Sequence, residues 1–488
     1  MTVSISPESI ETRLFMNGEF VESSNNKTFE LLSPKTLKLV AKVHEASAED
    51  TNRAVESAKA AQPAWAALRT EERGFYLKKL ADLIRQHDNE FATLEALSMG
   101  IPVSEYWQAA QCAKTFDHYS EAGYSNQGTT SLNTPGFINM TLRQPYGVVA
   151  AIIPWNYPIV FFASKVAPAL TVGNTVVLKS SEKAPLTLQS IRLAGLIKQI
   201  GFPPGVINVI TGFGNISGAI LSHHMDVRVL SFTGSTRTGR LIQEAASKSN
   251  LKVVFLELGG KSPAIVFDDA DLEAAVSDTQ SSIQSNSGQT CMAISRVYVQ
   301  DTVARKFTAL FKAKFSSSAV LGDPMHPDTN HGPQADQVQH ENISRYIEIG
   351  KQESTMILGS DSPPSNDSGY FIKPTIFADA PEDARIMQEE IFGPVVVINT
   401  FTTEEEVLQK ANNSEFGLYA SVYTKDLDRA MRFVRGLEAG TVGVNCTSPT
   451  TAKDMPFGGY KGSGIGREGW VCSMDNFLET KTVLIKTG

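Results

Sequence analysis

The chain has 488 residues, of which 42% are hydrophobic and 20% are charged, a composition typical of a folded globular protein and not of a disordered one. Its formal net charge of −8 argues against nucleic acid or an anionic membrane as the main partner, because those surfaces require clustered lysine and arginine. We therefore expect a small-molecule ligand.

The sequence carries no signal of secretion, membrane insertion or metal binding. Its four cysteines lie far apart, without the CxxC or Cys/His spacing of a zinc site or a disulfide framework. The N-terminal segment lacks a basic start followed by an apolar run, and no long uncharged apolar stretch follows. We predict free thiols, no metal site, no membrane association and a cytoplasmic location.

Strand patterns alternate with helical patterns along the first half of the chain. A helical region over residues 70–97 has apolar residues at helical spacing and is predicted to flank a sheet, and another helix is predicted over 185–200. Short runs of β-branched residues, bounded by glycine, proline or polar residues, predict buried strands at 148–153, 176–179, 206–210, 227–232 and 253–258. This alternation predicts an α/β fold with a mostly parallel sheet.

The same alternation restarts in the second half of the chain. Strands are predicted at 296–300, 395–399, 421–424 and 442–445, and helices at 303–315, 404–411 and 427–437. The recurrence indicates a second α/β domain. A segment rich in Ser, Pro, Asn and Asp, residues 359–369, is predicted to form one exposed loop.

Two strand ends in the first half carry residues suited to a dinucleotide. Gly234 and Ser235 precede a predicted helix, whose N-terminal amides can bind phosphate. Lys179 and Glu182 follow another strand, where a carboxylate accepts hydrogen bonds from the adenosine ribose and repels the 2′-phosphate of NADP. These residues favour NAD, with NADP as the weaker alternative. The GxGxxxG run from Gly212 departs from the dinucleotide fingerprint and by itself predicts only a loop.

A cysteine in the second half is a candidate nucleophile. Cys291 lies in the segment SNSGQTCMAISR, among small and polar residues with few aliphatic neighbours. A lone cysteine is most often an apolar filler, but these neighbours predict a partly accessible thiol. Gly288 would allow the backbone to bend so that amide groups face the sulfur. We therefore expect hydrogen bonds or positive potential to activate Cys291.

Ordered motifs over nearly the whole chain resemble those of the aldehyde dehydrogenase superfamily. They are LFMNGEFV, IIPWNYP, FTGSTRTG, FLELGGKSP, SGQTC, EEIFGPV and PFGGYKGSGIGREG, which begin at residues 14, 152, 232, 255, 287, 389 and 456. The resemblance implies NAD(P)-linked oxidation of aldehydes to acids. It also implies an α/β subunit with a Rossmann-like cofactor domain, an α/β catalytic domain and a small β oligomerisation flap.

The resemblance also implies domain limits and an assembly. The NAD-binding domain is expected at residues 1–122 and 146–258, and the catalytic domain at 259–473. The oligomerisation flap is expected at 123–145 and 474–488, in a homotetramer or homodimer.

The chemistry of such a reaction explains the residue types found. Hydride loss requires a tetrahedral oxyanion, which the addition of a cysteine to the aldehyde provides, and Cys291 fits that role. The family's oxyanion-site asparagine matches Asn156, which would act with the Cys291 backbone N–H. Glu257, at the end of an apolar strand, matches the base that hydrolyses the thioester, and desolvation would raise its pKa. Lys165 is expected beside the pocket and is predicted as a fourth catalytic residue.

Further contacts follow from the resemblance. Glu390 and Phe392 match the residues that hold the nicotinamide ribose and bound the ring, and Trp155 and Leu258 complete the predicted cofactor site. The predicted substrate pocket is lined by Tyr157, Val160, Phe161, Ser164, Thr290, Met292 and Phe457. Because Ser164 stands where many relatives carry a large aromatic residue, we expect a wide tunnel for a bulky or extended apolar aldehyde.

Two other functions stay open at this point. A relative that passes its thioester to coenzyme A would not need a carboxylate base, so Glu257 counts against it. A non-catalytic binding or structural member of the fold would be expected to tolerate loss of Cys291, Asn156 or Glu257, yet all three are present.

Overall fold

The computed structural model describes residues 10–189, 193–360 and 369–487. Most of the loop predicted over 359–369 lies outside the described residues, as does the middle of the helix predicted over 185–200. In the part of the chain that is described, no helix is long and apolar enough to cross a membrane.

An eight-stranded sheet forms the centre of the first half. Its strands, in spatial order, are Glu19–Val21, Leu14–Met16, Ile207–Thr211, Thr175–Ser180, Val148–Ile152, Val227–Thr233, Val253–Glu257 and Gly464–Ile465. The five central strands are parallel. All five were predicted, and each end lies within one residue of its predicted position. The strand Gly464–Ile465 comes from the C-terminal part of the chain, so the two halves share this sheet.

Helices cover both faces of this sheet, because neighbouring residues of a strand point to opposite sides. Val148 packs into one hydrophobic cluster and Val149 into another. The helices described in this half are Ala48–Ala67, Thr70–Gln86, Asp88–Ser98, Gln108–Ala122, Pro158–Thr171, Leu186–Gln189, Leu193–Ile200, Ala219–His223 and Thr236–Ser247. Burial on both faces explains why the strands read as continuous apolar runs.

The helical region predicted over 70–97 is two helices rather than one. His87 has φ −109° and ψ 17°, outside the helical region, and separates Thr70–Gln86 from Asp88–Ser98. Asp88 and Glu90 then lie in a new first turn, where negative charge favours the helix N-terminus. The apolar face of the first helix packs into the core as expected.

A seven-stranded sheet forms the centre of the second half. Its strands, in spatial order, are Thr355–Leu358, Thr375–Ala378, Val395–Phe401, Ile294–Gln300, Ser262–Val266, Tyr419–Tyr423 and Thr441–Val444. All pairs are parallel except the first. The helices described around it are Leu272–Gln284, Asp301–Ser318, Gln337–Glu353, Arg385–Gln388, Glu404–Asn412 and Leu427–Gly436. The four strands predicted in this half are present, and three more were missed.

A small antiparallel sheet lies in the segments where the flap is predicted. Its strands are Thr130–Ser131, Phe137–Pro145 and Leu478–Lys486. Leu142 and Leu484 are exposed on it. Short elements complete the chain: the strand pairs Thr28–Leu32 with Leu39–His44 and Phe416–Gly417 with Tyr460–Lys461, the single turns Val103–Glu105, Gly123–Ser125, Ser285–Gly288 and Asp475–Phe477, and the π-helical turn Gly214–Gly218.

The two large sheets meet at a short connection. The strand Val253–Glu257 belongs to the first sheet and the next strand, Ser262–Val266, belongs to the second. Glu257 therefore ends a parallel strand where the chain crosses from the first sheet to the second, and ligands commonly bind at the carboxyl ends of such strands.

Candidate active site

A sharp bend presents Cys291. Asn286, Ser287 and Gly288 all have left-handed backbone conformations, with φ of 49°, 53° and 79°. A Cβ atom on Gly288 would lie 2.1 Å from the carbonyl carbon of Gly393, so only glycine fits there. The bend predicted at Gly288 is present and begins two residues earlier. It leaves Cys291 half-buried.

Hydrogen bonds hold Asn156 beside the nucleophile loop. The Asn156 side-chain amide donates to the carbonyl of Gln289 at 3.0 Å, and the Asn286 amide donates to the Asn156 carbonyl at 3.3 Å. Asn156 is only 3% exposed. Its second side-chain N–H has no acceptor among the described residues, so it can donate to an oxygen atom of a ligand.

Glu257 is a buried carboxyl group with no partner that neutralises it. It is 3% exposed, and within the described ranges neither carboxyl oxygen has a nitrogen or oxygen hydrogen-bond donor. Burial raises the pKa of Glu257 to about 8, although the neighbouring Cys291 thiol and Lys165 favour the ionised form. The sequence predicted this direction of shift from the apolar strand. A carboxyl group with such a pKa can take up and release a proton near neutral pH.

The surroundings of Cys291 do not favour its thiolate form. Burial raises its pKa well above the ordinary value, and the charges of Glu257 and Glu390 raise it further. The backbone N–H of Met292 opposes this shift, so of the two expected alternatives, hydrogen bonds or positive potential, a hydrogen bond from the backbone is the one present. The thiol is therefore neutral at rest and requires a proton acceptor before it can react.

Glu390 approaches the same connection from the segment before the strand Val395–Phe401 of the second sheet. Its carboxylate accepts a hydrogen bond of 3.0 Å from the Gly260 N–H. A Cβ atom on Gly259 would lie 2.4 Å from this carboxylate, so glycine permits the close approach. Burial raises the pKa of Glu390 to about 7, against the hydrogen bond from Gly260 and the charge of Lys261.

Phe392 and Trp155 lie together near this carboxylate. Phe392 has a left-handed backbone conformation, with φ of 60°, and its ring meets the Trp155 ring edge-on at 5.4 Å. The ammonium of Lys183 lies 5.4 Å from the centre of the Trp155 ring. An aromatic surface thus faces the carboxyl ends of the first sheet, as suits a planar cofactor ring.

Lys179 and Glu182 lie at the end of the strand Thr175–Ser180. The Lys179 ammonium donates to the Ser180 carbonyl at 2.9 Å and lies 3.9 Å from a carboxylate oxygen of Glu182. Lys179 is buried, whereas Glu182 is partly exposed. The turn Gly214–Gly218 packs beside Lys179 and leads into a helix, so the loop predicted from Gly212 is in fact helical. Its glycines therefore lie at the same sheet edge.

Gly234 and Ser235 join this edge to the strand of Glu257. The Gly234 N–H donates to the Glu257 carbonyl at 3.1 Å. Ser235 caps the helix Thr236–Ser247, where its hydroxyl accepts from the Thr238 N–H at 3.3 Å. Leu258 packs against Gly239 of that helix, where a Cβ atom would lie 2.7 Å from the leucine side chain. The exposed N-terminus of this helix and the partly exposed Glu182 fit a phosphate and a ribose.

Cys291 lines a large cavity. Its volume is about 570 Å³, and all seven residues predicted for the substrate pocket line it. The helix Gln108–Ala122 contributes Gln111, Thr115 and Tyr119, which the sequence analysis missed. Their spacing of four residues places them on one face of the helix. This spacing was the one sign in the sequence that the three residues could act together. The sequence could not tell that this face lines the cavity.

Lys165 lies behind the cavity wall. It is fully buried, and its ammonium donates to Glu468 at 2.6 Å and to the Ser231 hydroxyl at 3.1 Å. Glu468 lines the cavity, and Lys165 does not. Lys165 thus lies beside the pocket and contacts the cavity lining through Glu468, and its catalytic role stays a prediction.

Comparison with known proteins assigns the chain to a family. A sequence model described as the aldehyde dehydrogenase family matches residues 20–483. The chain belongs to the aldehyde dehydrogenase family. The resemblance stated from the motifs and the predicted α/β fold are thus confirmed, and the protein belongs to a family of oxidoreductases.

Named relatives and a solved structure support this assignment. "Aldehyde dehydrogenase family 2 member B4, mitochondrial" from Arabidopsis thaliana is 44% identical over 478 residues, covering 97% of this chain and 88% of the relative. "Aldehyde dehydrogenase, cytosolic 1" from Macroscelides proboscideus is 43% identical over 480 residues, covering 97% and 95%. A structure of P. syringae AldA indole-3-acetaldehyde dehydrogenase, a mutant in complex with NAD+ and IAA, superimposes with a TM-score of 0.94 at 38% identity and covers 98% of this chain and 97% of that chain.

Proposed function

We propose that this aldehyde dehydrogenase oxidises an aldehyde to the carboxylic acid with NAD, through a thiohemiacetal and then a thioester on Cys291. The observation that carries the proposal is the position of Cys291, half-buried in the wall of the large cavity and next to the unneutralised carboxyl group of Glu257. A nucleophile and a proton acceptor in contact are what covalent catalysis requires.

The first half of the reaction uses the loop of Cys291. The ionised Glu257 takes the thiol proton, and the sulfur forms a bond to the aldehyde carbon. The carbonyl oxygen then carries negative charge, which the Asn156 side-chain N–H and the Cys291 backbone N–H stabilise. Bound NAD would supply the hydride acceptor, and loss of hydride from this oxyanion would leave the carbon attached to the Cys291 sulfur as a thioester.

The second half requires an activated water. Glu257 first releases the thiol proton to solvent and then takes a proton from that water, whose oxygen attacks the thioester carbon. The carbon–sulfur bond breaks, the acid leaves, and the Cys291 sulfur takes the proton back from Glu257. The presence of this base favours hydrolysis over transfer of the acyl group to coenzyme A, which would need no carboxylate here. It also disfavours a non-catalytic role, because an unneutralised buried carboxyl group has no benefit to stability.

The cofactor site that we propose extends along the carboxyl ends of the first sheet. Lys179 and Glu182 would hold the adenosine ribose, and the amides near Gly234 and Ser235 would hold the pyrophosphate. Glu390, Phe392, Trp155 and Leu258 would contact the nicotinamide half. The carboxylate of Glu182 favours NAD over NADP because it repels a 2′-phosphate. The NAD+ complex of the P. syringae relative supports this choice.

The substrate that we propose is a bulky or extended aldehyde with an apolar body. Ser164 keeps one side of the cavity open, and a volume of about 570 Å³ is in the range of sites for drug-sized molecules.

We also propose that the NAD-binding domain comprises residues 1–122 and 146–258 and the catalytic domain residues 259–473. The small sheet at 123–145 and 474–488 would join subunits of a homodimer or homotetramer. A cytoplasmic location is proposed in line with the cytosolic relative.

The test is the formation of NADH from a panel of alkyl and aromatic aldehydes, measured for the parent enzyme and for Cys291→Ala. The parent should reduce NAD, and the alanine variant should lose turnover because no thioester can form. NAD binding to Cys291→Ala, measured by calorimetry, should persist because other residues hold the cofactor. Turnover of the variant near the parent rate would refute the covalent route.

A further inference from the structure

The mouth of the substrate cavity is apolar on its surface and positively charged. Trp107 and Met455 line the cavity and are 45% and 58% exposed, so they lie where the cavity opens to solvent. Lys453 lies on the same exposed segment and also lines the cavity. The Trp470 N–H donates to the Lys453 carbonyl at 3.1 Å. This hydrogen bond holds the segment against the part of the cavity wall that contains Trp470.

Lys453 is the charged lining residue that has no partner in the described structure. The other charged residue of the wall, Glu468, is neutralised by Lys165 at 2.6 Å. Within residues 10–189, 193–360 and 369–487, no carboxylate lies within ion-pair distance of the Lys453 ammonium. The neighbouring Asp454 is exposed and does not pair with it.

A second cation increases the positive potential at this mouth. Lys114, on the helix Gln108–Ala122, is close enough to interact with Lys453 and has no ion-pair partner in the described ranges. Burial lowers the pKa of Lys453, and the charge of Lys114 lowers it further. Two cations near a partly desolvated site are stabilised when an anion binds between or beside them.

We propose that the substrate carries an anionic group at the end remote from the aldehyde, and that Lys453 binds this group. The inference rests on the proposed function, since Cys291 must receive the aldehyde. The substrate class is then an aldehyde with an apolar body and a terminal carboxylate. The body contacts the aromatic wall formed by Tyr157, Phe161 and Trp470.

This arrangement makes substrate length a determinant of specificity. Cys291, which is half-buried, and Lys453, which is exposed, both line the cavity, so a substrate that contacts both must be long enough to reach from one to the other. A short ω-carboxyaldehyde cannot place its carbonyl at the sulfur and its carboxylate at the lysine, and it would bring its charge into the apolar interior. The preference for a carboxylate over a methyl terminus should therefore rise with chain length and then level off.

The experiment compares ω-carboxyaldehydes of increasing length with methyl-terminated alkanals of equal length. The quantity measured is the ratio of kcat/KM for each pair, in the parent enzyme and in Lys453→Met and Lys453→Glu. We expect the longer pairs to favour the carboxylate, and Lys453→Met to reduce that ratio about three- to tenfold, as for a partly exposed ion pair. The charge reversal Lys453→Glu should reduce the kcat/KM ratio further. Added salt should reduce the same ratio in the parent enzyme.

A matched control is Lys306→Met, which removes an exposed lysine from the helix Asp301–Ser318, away from the cavity. It should leave the ratio unchanged. A parent ratio near one at every length, or a ratio that Lys453→Met does not alter, would overturn the inference while NADH formation from alkanals kept the proposed function. Failure of the parent to oxidise any aldehyde would instead overturn the proposed function itself.

Discussion

Two carboxylates that follow buried parallel strands have opposite surroundings. Asp269 follows the strand Ser262–Val266 and accepts hydrogen bonds from the Thr424 hydroxyl and the Lys425 N–H, with Arg429 at 3.1 Å. Burial alone would raise its pKa, but these groups lower it below the ordinary value. Glu257 ends the strand Val253–Glu257 without such donors, and its pKa is raised to about 8.

The difference separates a structural carboxylate from a reactive one. The donors around Asp269 stabilise its ionised form, so it serves the fold as a fixed anion. Glu257 keeps a proton that it can exchange with Cys291 or with water, at a cost in stability. The same chemical change, from carboxylate to amide, should therefore affect activity at one position and stability at the other.

The largest effect is expected for Glu257→Gln. A neutral amide keeps the shape of the side chain but cannot accept a proton, so turnover should fall by about 10²–10⁴-fold. Mixing enzyme, NAD and a good aldehyde should give a burst of NADH close to one equivalent, with the acyl group left on Cys291 as added mass. The burst itself should be slower, because Glu257 also takes the thiol proton.

Two results would contradict this role for Glu257. Full steady-state turnover of the glutamine variant would show that another group activates the water. Release of the acyl group to coenzyme A as fast as to water in the parent would move the enzyme to the acyl-transferring class. Asp269→Asn serves as the matched control, and its turnover should stay close to that of the parent.

The contributions of Glu257 and Asp269 to stability should change in opposite directions with pH. Because the folded-state pKa of Glu257 is raised to about 8, its contribution to stability is present at low pH and lost as the pH rises through about 8. The base form gains population over the same range, so kcat/KM should rise about tenfold per pH unit below that pKa and then level off. A rate profile that stays flat from about pH 6 to pH 9 would contradict the assignment.

A third strand-end carboxylate, Glu182, extends the comparison to the cofactor. It is partly exposed, and one of its carboxylate oxygens lies 3.9 Å from the Lys179 ammonium. Its negative charge is therefore partly neutralised, more than that of Glu257 and less than that of Asp269. Glu182→Ser should weaken NAD binding and reduce the preference for NAD over NADP about tenfold, because repulsion of the 2′-phosphate is relieved. The ratio of kcat/KM for the two cofactors measures this effect, and an unchanged ratio would show that Glu182 does not contact the ribose.

The sequence predicted the parts of the fold that depend on local pattern. The five central strands of the first sheet were placed to within a residue, because β-branched runs with polar ends are a strong local signal. The strand Ser262–Val266 was missed because Ser262 and Pro263 interrupt its apolar pattern and it follows a glycine-rich segment. Burial of Glu257 was predicted for the same local reason as its strand.

Features that depend on contacts between distant segments could not be predicted in this way. The raised pKa of the Cys291 thiol could not be predicted, because it results from burial and from the carboxylates of Glu257 and Glu390, which lie far from Cys291 in the sequence. The cavity wall formed by the helix Gln108–Ala122 was missed because periodicity shows a helix face but not what it packs against. The pairing of Lys165 with Glu468 likewise joins two segments far apart in the chain.

The smallest effect on activity is expected for Asp269→Asn, which tests the structural half of the comparison. An amide cannot accept hydrogen bonds at both terminal atoms, so at least one donor among Thr424, Lys425 and Arg429 loses its acceptor. The free energy of unfolding should fall by about 1–2 kcal/mol, as for a hydrogen bond to a charged group.

This loss has a pH dependence opposite to that of Glu257. Because the folded-state pKa of Asp269 is lowered, its stabilisation is present above the ordinary pKa and is lost as the pH falls through the folded-state value. The parent and Asp269→Asn should therefore differ in denaturant midpoint at neutral pH and converge in acid. If Asp269→Asn unfolds like the parent at neutral pH, Asp269 does not stabilise the fold as proposed. If it loses turnover as Glu257→Gln does, Asp269 is not a purely structural residue.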